Sequence, residues 1–240
     1  MHSKHDTFMA GWVERAVRFA RGMMERATRG TERNFRAVAA PPFSAEEFRR
    51  WQDQIDSPIP VAIEQFLRTG SARCDCHFWT QFEERILLDD GGHMLRTDSL
   101  YGGARLCHAE ASPEWLDACQ GASEIFEELE DAGPRHAAIW RRSFPFAKIG
   151  NGDFLALDLA AADDAENPPV VYLGHEFCSD EEPLRPIAPN FEAFLRNWEQ
   201  VCYIGPQIWM LGPFIHPEPG FLDPTCGDLP GLREKLGLVE

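Results

Sequence analysis

The sequence predicts an α+β fold, with a central, mainly antiparallel sheet flanked by helices. Three observations lead there. Residues 143–177 hold three short apolar runs separated by turn chemistry, and Asn151-Gly152 between the first two is a strong hairpin signal because both turn positions need positive φ. In the second run Phe154, Ala156 and Asp158 alternate with Leu155, Leu157 and Leu159, which makes a strand with one aliphatic and one mixed face. Apolar residues at helical spacing precede and follow this stretch, so helices are available to cover the sheet.

Taken in order, residues 6–29 read as an amphipathic helix, with Phe8, Trp12, Ala16, Phe19 and Met23 on one stripe and Arg15, Arg18, Arg26 and Arg29 mostly elsewhere. Glu14, Glu25 and Glu32 dilute the basic face. Docking on the domain, or on a second subunit to form a homo-oligomer, is therefore favoured over a membrane surface. Gly30 and Pro41-Pro42 mark residues 30–43 as a linker, so 1–43 forms an N-terminal helix and linker. Ser44-Ala-Glu-Glu47 is a capping box that opens a helix over 44–55, with Phe48, Trp51 and Ile55 on its stripe. Pro60 suits the first position of a second helix with Ile63, Phe66 and Leu67 inward, and Gly70 suits a left-handed stop. Arg73 to Leu106 is strand-like, broken by Asp89-Asp90-Gly91-Gly92 and by Gly102-Gly103. Two short helices follow, Pro113–Cys119 and Ser123–Ala132, the second with Ile125, Phe126 and Leu129 inward and a Gly133-Pro134 stop. Pro168-Pro169 delays the third strand of the meander to Val170–Leu173. Pro189–Cys202 is a helix with Phe191, Phe194, Leu195, Trp198 and Val201 turned to the sheet, which closes a domain over 44–202. Residues 203–240, rich in Gly and Pro, read as an extension wrapping the surface of the domain, with a short helix near Leu229–Leu236.

The order of these elements resembles the SUKH superfamily, which includes the yeast cell-wall synthesis regulator of the Smi/Knr type and many bacterial immunity proteins. The matching positions are Ile59-Pro60 with Phe66-Leu67, the Gly152-Asp153 turn, Asp158, Val170-Val171-Tyr172 with His175-Glu176, and Phe191 with Phe194-Leu195. The likeness spans about residues 44–200. The chain departs from the family pattern at Thr69-Gly70-Ser71, where an Asn-Gly-Gly turn is usual, and by its N-terminal helix and long tail. The resemblance implies a SUKH-like α+β domain and a non-enzymatic role, the binding and neutralising of a protein partner, most often a toxin domain delivered by neighbouring bacteria.

Bulk properties point the same way. At 240 residues and 44% hydrophobic the chain can bury a full core, and no apolar run approaches the roughly 18 residues of a membrane span. There is no secretory signal pattern, and seven cysteines without a repeating spacing suit reduced thiols, so a cytoplasmic location is expected. The formal net charge is −16, yet residues 1–40 hold eight Lys/Arg against four Asp/Glu, which leaves −20 on the rest. So acidic a body argues against nucleic-acid binding and favours a basic partner.

Glu124, Glu127, Glu128 and Asp131 share one helical face, and residues 109–131 contain eight acids and no base. Like charges so spaced cost a helix roughly 0.2–0.5 kcal/mol per pair. A partner bringing Lys or Arg would supply the missing countercharge, as for an inhibitor that mimics a nuclease's substrate, so these four residues are the candidate partner site. A second acidic run places Asp163, Asp164 and Glu166 in a loop and extends the candidate surface. A solvated acidic face of a regulatory or scaffold module is the alternative. Cys74, Cys76 and His77 offer metal-ligand chemistry, but structural zinc sites use two spaced ligand pairs, so core cysteines are favoured and neither metal nor cofactor is expected. His175-Glu176 offers a base and an orienter, yet adjacent strand residues face apart and no nucleophile motif lies near. Asp153 and Asp158 likewise face apart, and no catalytic residue is assigned.

Overall fold

The computed structural model describes residues 4–26, 36–89, 94–128, 133–149, 152–161, 167–175, 186–205 and 207–238, with side chains at all of these except 4–6, 81–99 and 133. The described strands run β1 (Arg36–Ala39), β2 (Cys74–Asp89), β3 (Met94–Leu106), β4 (Ser143–Lys148), β5 (Phe154–Asp158), β6 (Val170–Leu173) and β7 (Pro186–Ala188). They form one sheet in sequential order, every pair antiparallel. The fold is α+β as expected, and β4–β6 are the three-strand meander. The expected linker is not all irregular, because Arg36–Ala39 pairs with β2 as an edge strand, Arg36 opposite His77. Gly102-Gly103 does not end β3 either. A Cβ at Gly102 would meet the Phe78 ring at 2.0 Å, and Gly103 takes φ +71 with its α-carbon against the Cys76 carbonyl, so the glycines permit close approach within a continuing strand.

Both faces of β5 are buried. Leu155 and Leu157 face one core with Val170 and Tyr172 of β6, while Phe154 and Ala156 face the other with Val171 and Leu173. The first core lies under α1 (Lys4–Arg26), α2 (Ala45–Gln52), α3 (Val61–Gln65) and α6 (Phe191–Gln200). In α2 the capping box is complete: Ser44 Oγ accepts from the Glu47 N–H and Glu47 Oε2 from the Ser44 N–H. Pro60 is the N-cap of α3, which widens into a π-helical turn over Phe66–Gly70. Gly70 is not a left-handed stop. A Cβ there would lie 3.3 Å from Val13 and 3.5 Å from the Met9 carbonyl oxygen, so its smallness lets α1 approach.

Helix α1 puts Met9, Trp12, Val13, Ala16, Ala20 and Met23 into this core. Trp12 donates its indole N–H to the Leu195 carbonyl at 2.9 Å and stacks on Trp198, and Arg15 makes a two-pronged ion pair with Glu199. The tail contributes to the same core instead of lying over it. Met210 and Leu211 of α7 (Ile208–Leu211), Phe214 and Leu222, and Leu232 and Leu236 at α8 (Leu229–Lys235) are all buried. Among the described residues no helix is long and apolar enough to cross a membrane.

The second core is smaller. It is closed by α4 (Ser112–Glu127) and α5 (Gly133–Arg142) over β4–β6, with Trp115 and Trp140 both against Phe154. Sequence spacing suggested two short helices where α4 runs unbroken. The glycine at 121 costs a helix interior about 1 kcal/mol, which the burial of Trp115, Cys119 and Phe126 exceeds. Gly133-Pro134 starts α5 where a stop was expected, consistent with the preference of proline for a first turn. Residues 129–132 lie outside the described residues.

Candidate functional site

Burial of Ser112, Trp115, Cys119, Ser123 and Phe126 fixes the rotation of α4 and leaves Glu114, Asp117, Glu124, Glu127 and Glu128 exposed. Ile125, expected to point inward, is 66% exposed between Glu124 and the carboxylates that follow. The inward stripe runs through Cys119, Ser123 and Phe126, and at about 100° per residue Ile125 falls about 100° from Phe126 and farther still from Ser123, outside the buried arc. The acidic face is also less bare of countercharge than its own stretch of sequence suggests. Arg141 of α5 reaches Glu127 at 2.5 Å, Lys148 of β4 reaches Glu114 at 3.3 Å, and Gln120 donates to Glu124 at 3.0 Å. The expectation of no compensating base is thereby corrected for Glu127: packing of α5 beside α4 supplies it. Glu124, Glu127 and Glu128 are thus together on the end of α4. Asp131, Asp163, Asp164 and Glu166 lie outside the described residues.

The other chemistry-bearing groups are tied into the framework. Asp153 is buried at the start of β5 and accepts the Tyr172 hydroxyl, the His175 backbone N–H at 2.9 Å and the His175 ring through Nδ1 at 2.6 Å. Sequence reasoning set aside Glu176 as an orienter of His175, and Glu176 lies outside the described residues. The carboxylate that orients His175 comes from 22 positions away, and only the β5–β6 register brings it there. Asp158 accepts from Arg142 at 2.9 Å and from the backbone N–H groups of Ala160 and Ala161. It closes the turn after its strand and, as expected, does not meet Asp153.

Cys74 and Cys76 point into the core beside each other, whereas Asp75 and His77 take the opposite face. The Cys74 thiol is raised well above the ordinary thiol range by its hydrogen bond with Cys76 and by burial, and burial alone raises Cys107 and pushes Cys119 up to about 12. Such thiols are poor nucleophiles and poor ligands. Among the described residues no group of three or more His, Cys, Asp or Glu is placed to hold a metal ion.

Fold and candidate site together define an α+β protein in which a helix with an exposed acidic face is laid across a two-faced antiparallel meander. The chain belongs to the SMI1 / KNR4 family (SUKH-1), whose model matches residues 42–197. Helix α1 and the whole tail, residues 203–240, fall outside that match. No curated protein matches the chain.

Proposed function

We propose that this protein is a non-enzymatic, cytoplasmic binding protein of the immunity type, which neutralises a basic toxin domain by covering it stoichiometrically. The partner meets the outer face of α4 at Glu124, Glu127 and Glu128, and the sequence adds Asp131, Asp163, Asp164 and Glu166 as further candidate contacts. One observation carries the reading: an isoleucine that is 66% exposed stands among carboxylates on the surface of a family member, an apolar anchor within a charged rim. Arg141 holds Glu127 in place, which reduces the ordering cost when a partner arrives. A regulatory or scaffold module contacting partners through the N-terminal helix and tail is the second reading. It is the weaker one, because both segments spend their apolar faces inside the first core.

The test is a pull-down against the product of the gene adjacent to this one. Charge-steered binding weakens between about 50 mM and about 500 mM salt as the Debye length shrinks. Reversing Glu124, Glu127 and Glu128 to Lys is expected to weaken capture more than tenfold, roughly the loss of one or two interfacial hot spots. Unchanged capture by that triple variant would place the site elsewhere.

A further inference from the structure

Helices α4 and α5 cover only the β4–β6 half of their sheet face. Among the described residues neither helix packs over β1–β3 on that face, and the register shows what stands on it. Val38, Asp75, Arg105 and Lys148 form one row across four strands, Arg36 and His77 the next row with Gly103, and Trp79 and Tyr101 the third. Val38 is 54% and Tyr101 46% exposed, and Arg36 and Arg105 are exposed. The rings of Trp79 and Tyr101 lie 6.2 Å apart, and the buried Trp79 indole N–H has no acceptor. In these rows Asp75 is the one acid. It is fully buried and already neutralised by Arg73 at 2.6 Å and by Arg36 at 3.7 Å, so the surface that remains is cationic and aromatic on a chain of net charge −16.

We propose that this open half-face is a second docking surface, for a carboxylate-rich segment of a protein partner. Tyr, Trp and Arg are the residue types that dominate interface energetics, and here they converge on one rigid sheet with an unused donor among them. Charge complementarity selects carboxylates. A phosphate backbone is disfavoured because exposed Glu110 and Glu114 stand along the start of α4 beside the strip, where a polymer charged at every unit would run into them. A protein segment places its acids singly and can turn other groups toward that wall.

The test uses the full chain and a fluorescein-labelled peptide whose glutamates are separated by glycine and serine, in fluorescence anisotropy at about 20 mM salt, where the Debye length is long. Saturable binding is expected, weakened about tenfold or more by Arg36→Glu with Arg105→Glu and several-fold by Tyr101→Ser, and unchanged by the triple reversal on α4. Circular dichroism melts confirm that the variants are folded. Should the double reversal disturb folding, Tyr101→Ser alone decides. The proposal is overturned by no binding, by binding that the folded variants retain, or by displacement with deca-thymidylate at equal or lower concentration, which would make the face a nucleic-acid surface. Failure of the α4 reading leaves these outcomes untouched, because the two sets of variants do not overlap.

Discussion

Asp153 gathers the Tyr172 hydroxyl and two donors of His175 from across the β5–β6 pair, inside the protein. Removing the carboxylate takes this acceptor from the buried Tyr172 hydroxyl and from the His175 backbone, at about 1–3 kcal/mol for a buried donor, while the His175 ring, 43% exposed, can turn to water. Asp153→Ala is therefore expected to lower unfolding stability by about 3 kcal/mol and Tyr172→Phe by about 1 kcal/mol, measured by urea denaturation. A second prediction concerns His77 and His108. Burial pushes both imidazoles below their ordinary value, against the attraction of Asp75, and the buried His108 Nδ1 has no hydrogen-bond partner. The folded protein thus resists protons that the unfolded chain accepts near pH 6.5. Their neutral forms support the fold above that pH, and stability declines as pH falls below about 6.5. His108→Gln should flatten this decline when stabilities at pH about 7 and about 5 are compared. The same residues show what local sequence conceals. A histidine at a strand end is visible, but its carboxylate partner is set by strand register, and the desolvation of His108 by what packs around it.

Two glycines show how element-level reading succeeds and fails. A Cβ at Gly103 would lie 1.4 Å from the Cys76 oxygen at φ +71, so Gly103→Ala must move β2 from β3 and is expected to cost more than about 3 kcal/mol in denaturant melts. Gly121 has nothing within 4 Å of an added Cβ and sits inside α4. Gly121→Ala should raise stability by about 0.5–1 kcal/mol in the same assay. Both glycines look like punctuation in the sequence. One is a point of close contact in a strand, and the other is a tolerated residue in a helix whose buried tryptophan and phenylalanine outweigh it. The capping box of α2 was legible because its signal lies within three or four residues.

For the whole molecule the consequential fact is that α1 and the tail belong to the first core. Trp12→Ala removes a fully buried ring that touches Phe66, Trp198 and Tyr203, and is expected to cost about 3–5 kcal/mol in a thermal or denaturant melt while leaving the outer face of α4 unchanged. The sequence by itself determined the meander, the helices around it and the family likeness, because alternation, caps and turns act over a few neighbouring residues. It also showed that α1 has an apolar stripe. Only the tertiary structure decided what that stripe covers, that residues 36–39 extend the sheet, that Arg141 meets Glu127, and that Ile125 faces solvent. Periodicity says that a helix has a buried side. Which partner buries it, and which charges arrive beside it from distant positions, is settled when the layers pack.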